Sequence, residues 1–405
     1  MEPLLPIGIS SVATILENEG WEVRLFDTTL YKRKSSGQAD REKTKQVKEV
    51  DYSSVGIKPK ENSMEYDYIK EVVDFNPHVI GFSVLENTYP IARELIDSTP
   101  SKYKNIIVGG IFALFGQDFL KDVIIYTGEF KANSNWERIN IDLLPITRFN
   151  YFKDNRIYRP MSGKLYRMLP IEFSRGCPYK CSYCSAQAYE KEFPGWYRYK
   201  SINKIEKEIK YYIENYDVEY FYFISETFLA MPKELREKFY EMYKDYKIPF
   251  WFNTRPETIK INDMKRLSKI GCHRISIGIE HGDYEFRKKM LNRNYKNEDA
   301  IDAARIIKDN GIELSVNNMV GFPDETEELA MKTVELNRKI EADSHTMSIF
   351  QPYRGTELHK YCIEKGYWSN DRLCNESFYT PSLDMDCFPK EKIKYFYDNF
   401  NIWII

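Results

Sequence analysis

Pro170-Ile-Glu-Phe-Ser-Arg-Gly-Cys-Pro-Tyr-Lys-Cys-Ser-Tyr-Cys184 is the stretch on which the reading of this chain turns. Its apolar start, Ile171–Ser174, fits a short buried strand, and it runs straight into a loop holding three of the seven cysteines. From Pro170 onward, strand and helix patterns alternate. The predicted strands are Ile171–Ser174, Tyr220–Ser225, Phe250–Arg255, Arg274–Glu280, Glu313–Gly321 and Thr346–Gln351. Helical stretches lie between them, at Ile202–Asn215, Lys233–Tyr246, Glu298–Asn310 and Glu325–Ile340. Strands separated by helices in this way predict a partial (βα)6, TIM-like barrel. The C-terminal ends of barrel strands share one mouth, which here gathers Arg175, Glu226, Arg255, Glu280, Gly321 and Gln351.

Upstream, a second alternation is legible. Ile9–Glu19 reads as a helix stopped by Gly20, and Glu22–Asp27 as a strand. Tyr66–Phe75 is helical, His78–Ser83 a buried strand, Tyr89–Asp97 a helix, and Asn105–Val108 a strand leading into Gly109-Gly110. That order predicts an α/β unit built on an open, doubly wound parallel sheet. Lys32–Lys60 is polar and reads as a loop. Residues 139–168 show no period and read as a linker, and the aromatic-rich tail matches no template. The expected division is therefore 1–138, 139–168, 169–368 and 369–405.

At 405 residues the chain is too long for one ordinary domain. It is 42% hydrophobic and 30% charged, which supports folded cores. Lys plus Arg (59) nearly cancels Asp plus Glu (61), so no global attraction for nucleic acid is expected. No apolar run reaches the roughly 18 residues of a membrane span, so no membrane partner is expected. The start lacks the basic region of a signal peptide, and the expected address is the cytoplasm. Seven cysteines is an odd number, and three fall within eight residues, unlike the spread of a disulfide scaffold. Clustered thiolates in a reducing compartment point to metal.

Cys177, Cys181 and Cys184 on one short loop can wrap an iron–sulfur cluster and leave one metal position unfilled. Structural zinc would need a fourth ligand, and no His or Cys follows until Cys272 and His273. Cys177-x3-Cys181-x2-Cys184, with Tyr183 before the last cysteine, resembles the signature of the radical SAM superfamily. The resemblance implies a [4Fe–4S] cluster on the three cysteines, with S-adenosylmethionine (SAM) on the fourth iron. It also implies reductive SAM cleavage to a 5′-deoxyadenosyl radical, a protein reductant such as flavodoxin or ferredoxin, and a small-molecule or peptide substrate.

The strand ends resemble the same family. Glu226, in Ile224-Ser-Glu-Thr-Phe228, matches the acidic residue that binds the SAM amino group; the plainer reading is a cap for the next helix. Arg255 matches a Thr-Arg element, facing the SAM carboxylate or substrate, or pairing with Glu226 or Glu280. Glu280, in Ile277-Gly-Ile-Glu-His-Gly282, matches the residue that binds the SAM ribose; His281 stands where relatives carry Ser and reads as structural or as a proton donor. Gly321 matches the element that packs on adenine, and Gln351 opens a Pro-x-x-Gly-Thr element in which Arg354 replaces a Pro. Tyr183, Glu226, Arg255, Glu280, Gly321 and Gln351 are thus the implied SAM contacts. Cys272 reads as core, and Cys362, Cys374 and Cys387 as core or as ligands of an auxiliary cluster.

Before the linker, Pro6-Ile-Gly8, Gly20–Asp27, Gly81–Leu85, Val108–Gly110 and Thr127–Glu129 resemble, in order, a cobalamin-binding Rossmann-like domain. The resemblance implies tail contacts at Ser83, Leu85, Gly109 and Gly110, where glycine admits close backbone approach. The chain departs from the family pattern in lacking its first strand and the Asp-x-His-x-x-Gly loop that supplies a lower axial His to cobalt; His78 reads as structural. The implied activity is radical SAM catalysis with cobalamin-dependent methyl transfer to an unactivated carbon or phosphorus. The alternatives are a cobalamin-independent radical SAM enzyme and a truncated cluster-binding relative without turnover.

Overall fold

The computed structural model describes residues 5–31, 37–130, 138–375 and 379–404. Its first element, helix α1 (Ile7–Asn18), packs with the barrel and not with the upstream sheet. Leu5 and Ile7 join the barrel core, Thr14 Oγ1 accepts the Arg148 N–H at 2.9 Å, and Glu17 accepts the Arg148 guanidinium at 2.8 Å. Glu22–Asp27, expected as a strand, is irregular. A strand persists only where a neighbour completes its ladder, and no described strand flanks this segment. Side chains anchor it instead: Asp27 accepts Arg156 Nε at 2.5 Å, and Phe26 stacks on Tyr31 at 5.8 Å.

The Lys32–Lys60 stretch, expected as a loop, contains helix α2 (Gly37–Lys43). It also clasps the barrel's last strand, where the Gln46 side chain accepts the Met347 N–H at 2.8 Å. Helix α3 (Met64–Phe75) begins at Ser63, whose hydroxyl accepts the Tyr66 N–H, and ends at left-handed Asn76. Strand β1 (Ile80–Ser83), helix α4 (Tyr89–Ser98), strand β2 (Ile106–Gly109), helix α5 (Ile111–Phe115) and strand β3 (Ile124–Ile125) follow. The three strands form a parallel sheet in the order β1-β2-β3, with Ser83 beside Gly109.

Part of the 139–168 stretch, read as a linker, is instead the edge of the main sheet. Strands β4 (Tyr158–Met161) and β5 (Lys164–Glu172) form an antiparallel hairpin. Its two turn residues, Ser162 and Gly163, both have positive φ (53° and 86°), as a type I′ turn requires. Arg159 of β4 sits 5.5 Å over a stacked Tyr222–Trp251 pair. After β5 come β6 (Ser174–Arg175), α6 (Ser185–Glu192) and β7 (Arg198–Tyr199), then α7 (Ile202–Tyr216), β8 (Tyr220–Ile224), α8 (Lys233–Tyr243) and β9 (Phe250–Thr254). The run continues with α9 (Ile261–Lys269), β10 (Cys272–Glu280), α10 (Tyr284–Met290), α11 (Asn297–Asp309), β11 (Glu313–Val320), α12 (Glu327–Ile340), β12 (Ser344–Ile349), α13 (Glu357–Glu364) and α14 (Lys390–Ile404).

The main sheet runs β12-β11-β10-β9-β8-β5-β4, parallel except for the β4 edge, and curls into a half-barrel. Phe221, Phe223, Phe250 and Phe252 point outward into one core with Ile205, Ile209, Phe239 and Leu267 of the helices. Each fully buried Phe contributes about 1.5–3 kcal/mol. The tail, unread from sequence, closes the last two strands: Ile393, Phe396, Tyr397 and Phe400 of α14 pack with Val320, Met347 and Ile349. No described helix is long and apolar enough to cross a membrane.

Candidate functional site: a thiol loop at the barrel mouth

The loop is fixed before its cysteines begin. Phe173 N–H bonds the Ile224 carbonyl at 2.8 Å, the Ser174 and Ser225 hydroxyls meet at 2.6 Å, and Arg175 pairs with Arg198 across β6–β7. Gly176 then turns with φ +85°; a Cβ there would lie 2.7 Å from Trp196 Cδ1, so glycine is required. Further on, Ser182 N–H bonds the Leu291 carbonyl at 3.3 Å, Leu358 N–H bonds the Ser182 carbonyl at 3.1 Å, and Asn292 donates to the Lys180 carbonyl at 2.7 Å. Helix α6 starts immediately after Cys184.

The three thiols differ in their surroundings. Cys181 is buried, while Cys177 and Cys184 are half-buried. Arg255 Nη1 lies 3.2 Å and Arg293 Nη1 3.8 Å from Cys181 Sγ. Thr227 Oγ1 lies 3.4 Å from Cys177 Sγ. Burial pushes the Cys184 thiol up to about 12 and raises Cys177 as well, so both keep their protons until a metal displaces them. Among the described residues no three His, Cys, Asp or Glu side chains converge on a single metal ion. A cuboidal cluster asks something different, one thiolate on each of three irons. Three thiols on one pinned loop, with two cations and a hydroxyl aimed at them, fit such an anionic cluster.

Glu226 is exposed by surface area, with protein atoms crowded round its carboxyl. That desolvation, with Glu172 nearby, pushes its carboxyl up to about 7. Glu280 follows a β-bulge and takes a left-handed φ of 67°. Its carboxylate lies 3.8 Å from Arg293 and beside the Tyr183 hydroxyl, and burial raises its pKa. Arg255 pairs with neither Glu226 nor Glu280: its Nε donates to Glu257 at 2.7 Å, and its guanidinium lies 3.9 Å over the Tyr179 ring. Tyr183, Glu280, Arg255 and Cys181 are thus brought together, with Arg293 between them.

Gly321 and Gln351 are engaged by the tail. A Cβ at Gly321 (φ +82°) would lie 3.0 Å from Ile393 Cγ2, so this glycine admits α14. Gln351 Nε2 donates to the Thr380 carbonyl at 3.0 Å, and its Oε1 accepts from the Ser382 hydroxyl. His281 is fully buried, Nε2 3.1 Å from Glu325, whose other oxygen accepts the Gly321 and Phe322 N–H groups. That makes it a fastener between strand ends. Cys272, Cys362 and Cys374 are buried and Cys387 is exposed.

Sequence reasoning missed Arg293, Thr227 and Tyr179. Arg293 sits in a polar Asn-Arg-Asn run that reads as solvated loop, and only the fold shows it 4% exposed.

At the sheet edge, the close approach at Gly110 (φ +95°) is made by the chain itself, since a Cβ there would lie 2.6 Å from the Val84 carbonyl oxygen. Gly109 has ordinary space, its nearest neighbour being the Tyr126 carbonyl at 3.7 Å, and Leu85 is 49% exposed. His78 is exposed at the opposite end of β1 from Ser83. The two sheets meet through buried Glu129, which follows β3 and accepts from Arg175, Arg198 and the Ile139 N–H.

The profile of the radical SAM superfamily matches residues 171–336. The half-barrel is a radical SAM domain. A domain of this superfamily implies a [4Fe–4S] cluster and SAM at the cysteine loop. Among relatives, an uncharacterized methyltransferase of Pyrococcus horikoshii is 26% identical over 258 residues, covering 63% of this chain and 54% of the relative. Bacteriochlorophyllide d C-12(1)-methyltransferase of Chlorobaculum tepidum is 22% identical over 296 residues, covering 67% and 62%. The chain therefore spans less than two thirds of these relatives. Among solved structures, the radical SAM methyltransferase TsrM of Kitasatospora setae, with cobalamin and a [4Fe–4S] cluster bound, shares the fold. Its TM-score is 0.60 at 16% identity, covering 90% of this chain and 72% of TsrM.

Proposed function

We propose that the chain is a cobalamin-dependent radical SAM methyltransferase acting on an unactivated carbon or phosphorus. The observation that carries this reading is the Glu129–Arg175 contact, which holds the C-terminal edge of the upstream sheet against the root of the cysteine loop. Doubly wound sheets bind ligands at that edge, and relatives named as methyltransferases and a corrin-bearing structure of the same fold support it. The upstream sheet is read as the remaining part of a Rossmann-like corrin domain within residues 1–138, with Ser83, Leu85, Gly109 and Gly110 along the nucleotide tail.

When bound, the cluster and SAM supply reductive cleavage of a sulfonium carbon–sulfur bond, and cobalamin supplies methyl carriage. The chain's own residues bind and orient. Cys177, Cys181 and Cys184 hold iron. Glu226 holds the SAM ammonium, Glu280 with Tyr183 holds the ribose, and Gly321 and Gln351 support the adenine end through their grip on the tail. The cobalamin-independent alternative draws on one observation: a Cβ at Gly355 would lie 2.7 Å from Phe115, so part of the inter-sheet seam is already closed.

The test is anaerobic reconstitution followed by hydroxocobalamin and desalting. The expected result is a brown protein that retains corrin absorbance, with iron lost in the Cys177→Ala, Cys181→Ala, Cys184→Ala variant and corrin lost in Gly109→Trp. A well-folded wild-type chain that retains no corrin favours the cobalamin-independent reading. SAM affinity adds a pH signature. Glu226 must be ionised to hold an ammonium, and its raised pKa leaves it protonated below about 7. Affinity should therefore fall as pH drops through 7, and Glu226→Gln should flatten that profile at a cost of about 1.5–3 kcal/mol. A wild-type profile flat from pH 8 to 6 removes Glu226 from the SAM site.

A further inference from the structure

We infer that Arg255 and Arg293 act as a pair of fixed cations on the Cys181 sulfur, raising the reduction potential of the cluster and making its three protein-bound irons electronically unequal. The inference rests on the cluster reading above and goes beyond it.

The asymmetry is in the donors. Cys181 Sγ faces two guanidinium groups, at 3.2 and 3.8 Å. Cys177 faces the Thr227 hydroxyl at 3.4 Å and a backbone N–H from Tyr179, and Cys184 a backbone N–H from Ala186, all of them neutral donors. Both arginines are almost wholly buried, 5% and 4% exposed, so water screens their charge weakly. An arginine keeps its proton at any working pH, so the charge is permanent. With iron bound, Cys181 is a thiolate, and N–H donors to a ligating sulfur raise cluster potential. Adding one electron from the external protein reductant makes the cluster more negative, and a nearby cation favours that form. No bond forms or breaks in this step.

Each guanidinium is held so that it cannot swing away. Arg255 is fastened by Glu257 and the Tyr179 ring. Arg293 donates to the Gly278 carbonyl, approaches the Tyr183 hydroxyl at 3.4 Å and pairs with Glu280 at 3.8 Å. Glu257 holds Arg255 by Nε and Nη2, which leaves Nη1 to the sulfur, whereas Arg293 presents Nη1 to the sulfur and to Glu280 alike, so Arg255 brings the less compensated charge. Arg255 comes from the end of β9 and Arg293 from the turn between α10 and α11. Two separate elements therefore converge on one of three sulfurs, while the loop itself is pinned by backbone bonds at Ser182 and by the Asn292 side chain on the Lys180 carbonyl. Arg255 and Arg293 are positioning and tuning residues acting through Cys181.

The measurement is the midpoint potential of the reconstituted full-length chain, followed by electron paramagnetic resonance without SAM. In Arg255→Gln and in Arg293→Gln, the ratio of reduced to oxidised cluster at the wild-type midpoint should fall about tenfold, a shift of about 59 mV to more negative potential for a one-electron couple. Thr227→Ala, which removes a neutral donor from Cys177, should move it less. Arg293→Lys, which keeps the charge and loses the fork, should fall between wild type and Arg293→Gln. If Arg293→Gln fails to hold iron, Arg255→Gln carries the tenfold expectation and Arg293→Lys a smaller fall of the same sign. Variants with full iron content that titrate at the wild-type midpoint overturn the inference. A wild-type chain that takes up no cluster overturns it together with the cluster reading.

Discussion

The half-barrel and the upstream sheet are both parallel α/β structures, but they are stabilised in different ways. In the barrel, strands of up to nine residues carry outward-facing aromatic and branched side chains, and six consecutive parallel strands complete one another's ladders. The upstream sheet has strands of four, four and two residues. Its neighbour Glu22–Asp27 has the composition of a strand but no ladder partner among the described residues. The barrel is held by its own core, whereas the upstream sheet is held partly by what it touches: Glu129 on Arg175 and Arg198, and Glu86 beneath the Arg354 N–H at 3.0 Å. If so, damage to the barrel should unfold everything, and damage to the seam should separate the two.

The largest effect is expected from Phe223→Ala. Phe223 is fully buried and packs edge-on against Phe173, Phe239, Tyr243 and Phe250. Its loss leaves a cavity no neighbour can fill, at about 3–5 kcal/mol. Denaturant unfolding should shift as one transition, with loss of iron binding at the same midpoint. Two separated transitions would contradict the idea that the barrel core governs the whole chain.

Next comes Glu129→Gln. It leaves Arg175 and Arg198 facing a neutral acceptor across the seam. Breaking a buried pair costs about 3–5 kcal/mol, and both arginines keep some solvent exposure (22% and 17% of the side chain), so a loss of about 1–3 kcal/mol is expected after screening. Calorimetry should show the upstream part melting first, ahead of a barrel transition little changed from wild type. A single transition shifted as a whole would mean that the seam is not where the two regions part.

The same contrast governs how much could be read from sequence. The barrel strands were legible to within two residues at most of their ends, because long apolar runs alternate with amphipathic helices and the cysteine loop marks the first strand. The Tyr158–Glu172 hairpin was not, since its only local signal is the Ser162-Gly163 turn inside a Tyr/Arg-rich passage. Residue type and spacing singled out Cys177, Cys181 and Cys184 as candidate ligands, and the family resemblance singled out Glu226. They could not anticipate Arg293, whose role depends on a turn 109 residues after Cys184 folding back on the loop. Nor could they show that Gly321 faces the tail helix and Gln351 the Thr380–Ser382 segment before it. Ladder partners and long-range returns are properties of the assembled sheet, and Glu22–Asp27 failed as a strand for that reason.

The smallest effect, and the sharpest test of the upstream sheet, compares two adjacent glycines. Gly110→Ala puts a Cβ at φ +95°, 2.6 Å from the Val84 carbonyl oxygen, so both the backbone and its neighbour are strained. A strained residue of this kind costs about 1–3 kcal/mol, confined to the upstream melting step. Gly109→Ala meets nothing nearer than 3.7 Å and its φ is ordinary. There, reduced freedom of the unfolded chain should offset any crowding, and stability should be unchanged or slightly raised. Corrin retention then separates structure from binding. If the tail runs along Gly109, Gly109→Ala lowers retention without touching the melting curve, whereas Gly110→Ala lowers both. Equal behaviour of the two variants in both measurements would mean that the pair serves only the β2–α5 turn and lies outside any ligand groove.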